Sequence, residues 1–100
     1  MAAEKVKGKL ILNILTPAES AAPIECDSVH LWISDDEKGR GGGSYGIRWR
    51  HVDAIISVAE GDVIAFSEEK EIYRVKTSSG LAVVESDTVT VMADAIIQKY

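Results

Sequence analysis

Apolar and polar residues alternate along this chain with a period of two, the signature of strands whose successive side chains point to opposite faces. Leu10, Leu12 and Ile14 fall on one face, with Ile11 and Leu15 on the other, and Thr16-Pro17 ends the run because proline cannot donate to a ladder. The stretch 18–23 reads as a short edge strand or an irregular link. Cys26 to Ser34 alternates again, with Val29, Leu31 and Ile33 on one face and Cys26, His30 and Trp32 on the other. The polar, glycine-rich stretch 35–43 reads as a loop. Short strands are then expected over 45–49, 52–58, 63–67, 71–77, 81–85 and 88–94. The turns between them are Glu60-Gly61-Asp62, Glu68-Glu69-Lys70, Ser78-Ser79-Gly80 and Ser86-Asp87, the last a two-residue hairpin loop without the usual glycine. The stretch 93–100 either continues the last strand or begins a helix. Eight or nine short strands with regular turns predict an all-β, two-sheet β-sandwich in one domain spanning 1–100.

Composition narrows the function classes. A 100-residue chain that is 46% hydrophobic can bury one core. A net charge of −5 argues against nucleic acid, whose phosphates an acidic surface repels unless basic residues cluster. Lys38, Arg40, Arg48 and Arg50 are the one candidate cluster. A single cysteine, Cys26, cannot close an internal disulfide and points to a reducing compartment. The start carries no signal-peptide pattern. No stretch approaches the ~20 apolar residues needed to span a bilayer, so membrane contact is expected only through a partner.

Candidate chemistry is sparse. Gly41 to Gly46 literally fits G-x-G-x-x-G, but a phosphate loop needs a strand before the glycines and a helix after them. Here a polar segment precedes and a β-rich one follows, so the stretch reads as a turn into a strand. Cys26 and His30 would lie about 13 Å apart on a strand, too far to pair, and read as two side chains on one sheet face. His51 and Asp53 could share a face, but two such groups without a third make neither a triad nor a metal site. Glu68, Glu69 and Glu71 lack the EF-hand spacing and read as a solvated turn. Trp49 between Arg48 and Arg50 suits a protein contact or simple packing better than base stacking. No catalytic residue, metal site or cofactor is expected, and a non-enzymatic binding module follows.

Several blocks of the chain resemble the N-terminal sandwich of ATP synthase epsilon subunits. Leu10 to Pro17 matches the family's opening strand ending in Thr-Pro. Cys26-Asp27-Ser28-Val29-His30 matches its Val-Asp-Ser-Val-Val strand. Gly43 to His51 stands where the family has Gly-Glu-Phe-Gly-Ile-Leu-Pro-x-His. Ser78 to Val84 and Val89 to Asp94 match its Ser-Gly-Gly-Phe-Leu-Glu-Val and Val-Thr-Val-Leu-Ala-Asp. Together the blocks run from about Leu10 to Ala95. Ser44 and the run Arg50-His51-Val52-Asp53 look closer to the alternate, sodium-associated ATPases. Trp49-Arg50 replaces the family's proline, and the chain reaches Tyr100 without the helical hairpin that follows in the family.

The resemblance implies a non-catalytic central-stalk subunit. It would link the gamma subunit to the membrane c-ring and support the coupling of ion translocation to ATP synthesis. It would lie at the cytoplasmic face of a bacterial or archaeal membrane as a peripheral subunit. The residues expected to dock partners are Ser44, Tyr45, Ile47, Arg48, Trp49, Arg50 and His51. The alternative is an unrelated β-sandwich interaction module.

Overall fold

The computed structural model describes residues 9–21, 23–34 and 43–100. Among them there is no helix, and the fold is all-β. The strands are β1 (Leu10–Leu15), β2 (Ile24–Cys26), β3 (Ser28–Ile33), β4 (Gly43–Arg48), β5 (Ala54–Val58), β6 (Gly61–Ser67), β7 (Lys70–Thr77), β8 (Gly80–Glu85), β9 (Thr88–Ala93) and β10 (Ile96–Lys99).

All ten strands join one hydrogen-bonded sheet in the order β10-β7-β6-β3-β5-β8-β9-β1-β2, with β4 added along β3. The sheet curls over on itself. Its joint is narrow, because β3 and β5 pair through Ile33 and Val58 alone. One layer holds β10, β7, β6, β3 and β4. The other holds β5, β8, β9, β1 and β2. Pairing is antiparallel throughout except for β1 beside β9, which is parallel. Across the interior β2 packs over β6, and β1 over β3.

The alternation seen in the sequence sets what is buried. Leu10, Leu12 and Ile14 of β1, Val29 and Leu31 of β3, Ile47 of β4, Val63 and Ala65 of β6, Val84 of β8, and Val89 and Val91 of β9 fill the interior. Each buried Leu, Ile or Val is worth about 1.5–3 kcal/mol over the exposed state. The core is aliphatic. The large rings of Trp32, Trp49, Phe66 and Tyr73 sit around it at the surface or half-buried.

Three consecutive segments pass between the layers at one corner. They are 59–60 between β5 and β6, 78–79 between β7 and β8, and 94–95 between β9 and β10. Ser78 ties two of them. Its Oγ accepts the amides of Asp94 and Ala95, both at 3.0 Å, and its own amide donates to Ala95 O at 3.0 Å. The backbones approach so closely that a Cβ on Gly80 would lie 1.9 Å from Met92 O. On β6, in the other layer, a Cβ on Gly61 would lie 2.7 Å from Trp32 Cδ1.

The structure differs from the sequence expectations in four places. Cys26 and His30 do not share a face. The chain bends at Asp27 on leaving β2 for the other layer, so Cys26 is fully buried while His30 is exposed. The strand expected over 45–49 begins two residues earlier, at Gly43, and ends at Arg48. Gly41, Gly42, Lys38 and Arg40 lie outside the described residues. The expected strand 52–58 starts only at Ala54. The ambiguous stretch 93–100 is neither a helix nor a continuation. It bends at Asp94 and returns as β10 against β7. There Tyr100 OH donates to Asp62 at 3.0 Å, and Arg74 pairs with Asp62 and Glu71 at 2.7 and 2.8 Å. A further feature had no sequence signal: the β6–β7 register shifts after Ala65, leaving Ile72 bulged out of the ladder.

The two close glycines differ in what blocks them. Gly80→Ala drives a methyl into fixed backbone and should cost about 3 kcal/mol or more, or prevent folding. Gly61→Ala meets only a side chain that can swing away, so about 1 kcal/mol is expected. Urea unfolding midpoints of the two variants check this. Equal losses would show that the corner has slack.

Candidate functional site

The end of the sandwich opposite the crossover corner gathers the segments that carry chemistry. There the bend at Asp27, the loop 49–53 and the two hairpin turns, 68–69 and 86–87, come together. Glu68, Glu69, Ser86 and Asp87 all have positive φ, between 52° and 67°. Two-residue hairpins favour that conformation because it matches the twist of the strands. Non-glycine residues adopt it only at a cost of about 1 kcal/mol or more each.

Side chains from other segments hold these turns. The Asp27 carboxylate accepts the Glu68 amide at 2.6 Å, and it also pairs with Lys9 at 3.0 Å. The Asp87 carboxylate accepts the Arg50 amide at 2.6 Å, while Ser86 donates its amide to Asp53 at 3.4 Å. The loop 49–53 and the β8–β9 hairpin therefore brace each other, each through a carboxylate on the other's backbone. Arg50 itself is held at φ 67°.

Inside the loop, His51 is fixed at both ring nitrogens. Nδ1 lies 2.7 Å from Val52 O, which can only accept, so Nδ1 carries the proton. Nε2 and Tyr45 OH share a hydrogen bond at 2.9 Å. The Arg50 guanidinium lies over the Trp49 ring, 4.8 Å from its centroid. Val52 stands at the tip, 75% exposed.

The seven residues expected to dock partners separate along β4. Arg48, Trp49, Arg50 and His51 lie at the braced end. Ser44 sits four residues back, about 13 Å away, toward the corner. Ser44 and Arg48 face outward. Tyr45 and Ile47 face inward, and Ile47 is fully buried. Ile47 thus holds β4 to the core, while the other six residues keep some exposure. His51 and Asp53 do not pair; they serve the loop and the hairpin separately. Glu71 is not merely solvated, since it grips Arg74 through both carboxylate oxygens. Gly43 to Gly46 lie within β4, and no helix follows them as a phosphate loop requires.

Two outward faces were not singled out by sequence reasoning. On the second layer the registers align two rows without a charge. One is Ser57, Leu81, Met92 and Leu15, and the other is Ile55, Val83, Thr90 and Asn13. Ile55 is 73% exposed, and Leu81, Met92 and Leu15 are also exposed. The signal was present in the second face of each alternating strand, but only the pairing registers show that these positions are neighbours. On the first layer, an open cleft of about 590 Å³ runs between Arg48 with Trp49 on one side and Phe66 with Glu68 and Glu69 on the other. His30 stands edge-on to Phe66 there, with centroids 4.9 Å apart.

Among the described residues, no group of three or more His, Cys, Asp or Glu side chains could hold a metal ion. Burial, followed by the nearby Asp27 charge, pushes the Cys26 thiol up to about 11 from its ordinary 9.0. Its Sγ lies 3.8 Å from Leu10 O, inside the core. A buried thiol with a raised pKa is a poor nucleophile.

No protein-family model matches the chain. No curated protein matches it. In fold it is similar to a chain from the cryo-EM structure of the Tetrahymena thermophila mitochondrial ATP synthase central stalk and c-ring. The TM-score is 0.65, with 13% sequence identity, covering 94% of this chain and 69% of that one. At that identity the likeness is one of fold.

Two measurements follow from the geometry. The Cys26 thiol ionises near 9 when unfolded and near 11 when folded. Its contribution is therefore full below about pH 9 and is lost as the pH rises toward 11, by on the order of 2 kcal/mol. Cys26→Ala should flatten that part of the stability profile relative to the unsubstituted chain. Parallel profiles for the two proteins would remove Cys26 as a source of alkaline sensitivity. Separately, Asp87→Ala should cost about 1–2 kcal/mol and speed amide exchange at Arg50 and His51, whereas Asp87→Asn, which keeps an acceptor and tolerates positive φ, should lose less. Unchanged exchange in Asp87→Ala would mean the loop is not braced.

Proposed function

We propose that this chain is a non-catalytic, epsilon-type rotor subunit of an F-type ATP synthase, tying a gamma subunit to the membrane c-ring. The observation that carries the reading is that one rigid body offers two chemically different contact surfaces. The two uncharged rows on the outer face of the second layer suit a permanent neighbour, because long-lived interfaces are the more apolar ones. The braced end, with Arg48, Arg50 and the exposed Val52, suits a polar partner met end-on. The fold likeness to a chain of a central-stalk assembly and the ordered sequence blocks support the same reading.

In this role the chain does no chemistry. Torque passes through it only if it deforms little under load, which a single curled sheet with three crossover segments at one corner provides. The gamma subunit would cover the row from Ser57 to Leu15. The ring would meet the end formed by loop 49–53. The complex would sit at the cytoplasmic face of a bacterial or archaeal membrane, this chain reaching the membrane only through its partners.

Co-expression of the tagged chain with the gamma and c subunits of its own organism tests the proposal. The unsubstituted chain should co-purify with gamma. Ile55→Lys with Leu81→Lys should weaken that capture at least tenfold, roughly the size of a central contact, while the isolated variant keeps its unfolding midpoint. Failure of the unsubstituted chain to retain gamma would overturn the rotor reading and favour an unrelated interaction module.

A further inference from the structure

The sequence places two arginines at the docking end and so points to an acidic partner. The structure changes that balance. Arg48 is the cross-strand neighbour of Ser28, and Phe66 lies opposite Ser28 on its other side. Ser28 is small and nearly buried, so the row Arg48–Ser28–Phe66 has a valley at its centre. The valley opens toward the turn that carries Glu68 and Glu69, and His30 closes its far side against Phe66.

Three charged groups across this valley, Arg48, Glu68 and Glu69, form no ion pair among the described residues. Among the described residues, the carboxylates in ion pairs are those of Glu19, Asp27, Asp62 and Glu71. Among the described residues, Glu68 and Glu69 form no such pair, and neither does Arg48. The Asp27 bond to the Glu68 amide fixes the turn, so both carboxylates are held beside an aromatic wall, with the Asp27-bound Lys9 ammonium close enough to act on Glu68. Glu68, Glu69 and Asp27 against Arg48 and the Asp27-bound Lys9 leave the cleft net acidic. A partner offering carboxylates alone would be repelled by it.

We propose that this cleft receives an arginine carried on a loop of a protein partner, which, on the rotor reading above, is the partner that meets the braced end. A guanidinium is planar and presents N–H groups in a fork that fits carboxylates. It also stacks on aromatic faces, as Phe66 permits here. Lysine lacks both properties and is the weaker fit. Arg48 on the opposite wall then faces the carbonyls of the incoming loop. The cleft thus selects a segment that is cationic at one point and carbonyl-rich beside it, and Glu68 and Glu69 are the residues that set this preference.

The test uses the isolated chain, labelled with nitrogen-15, titrated with acetyl-arginine amide, acetyl-lysine amide and acetyl-glutamate amide. Saturating shifts at Ser28, His30, Phe66, Glu68 and Glu69 with the arginine probe, weaker ones with lysine and none with glutamate, are expected. Glu68→Gln with Glu69→Gln should lower the arginine affinity about tenfold while leaving the remaining spectrum in place. Absence of saturation, equal response to all three probes, or an unaffected double variant overturns the proposal. The same double variant in the co-expressed assembly separates the two readings. Loss of arginine binding with unchanged assembly keeps the cleft's chemistry but overturns its use by a rotor partner. Loss of both supports the two together.

Discussion

The close packing of backbones at the crossover corner is the constraint on which the rest of this structure depends. Three short segments cross there from one layer to the other, so neither layer can move without straining the crossovers that join them. The joint between β3 and β5 is only one residue pair wide. What keeps the layers in register is the knot around Ser78, whose hydroxyl accepts two amides of the neighbouring crossover. Gly80 lets Met92 O approach closer than any side chain would allow. The aliphatic core then fills the interior that this corner defines.

From that corner the opposite end is built by strand length. β6, β7, β8 and β9 run out to two hairpins whose turns adopt positive φ without glycine. Local preference does not favour these turns. Carboxylates from distant segments hold them, Asp27 for one and Asp53 for the other, while Asp87 returns a bond to Arg50. Charge-assisted bonds of this kind are among the stronger ones available to a surface. The outcome is an end whose loop is set before any partner arrives, which lowers the ordering cost of association.

Much of this was legible in the sequence. Period-two alternation marked the strands, and the turns at 68–69 and 86–87 fell where Glu68-Glu69-Lys70 and Ser86-Asp87 suggested. The misses share a physical cause. A one-residue bend at Asp27 reverses the side on which every later side chain points, and nothing local announces it. Cys26 therefore went to the wrong face. β4 carries large residues on both faces, Tyr45 and Ile47 on one and Arg48 on the other, so its sequence does not tell the buried Ile47 from an exposed residue. Which face turns inward is decided by β3 and the core beyond it. The braces at Asp53 and Asp87 join residues more than thirty positions apart, and the cleft's acidity arises because β6 brings Glu68 and Glu69 beside Arg48. The resemblance to epsilon subunits and the fold likeness to a stalk chain agree in architecture, while the surface of this chain carries its own charge pattern.

On the proposed rotor role this chain would have to behave as one mechanical unit, and the crossover corner is what would make it so. Native-state hydrogen exchange measures this directly. The account predicts that the slowest amides of β6 in one layer and β8 in the other exchange through a single global opening, with the same free energy and the same denaturant dependence. Separate openings, with one layer exchanging through a smaller unfolding while the other stays protected, would contradict it.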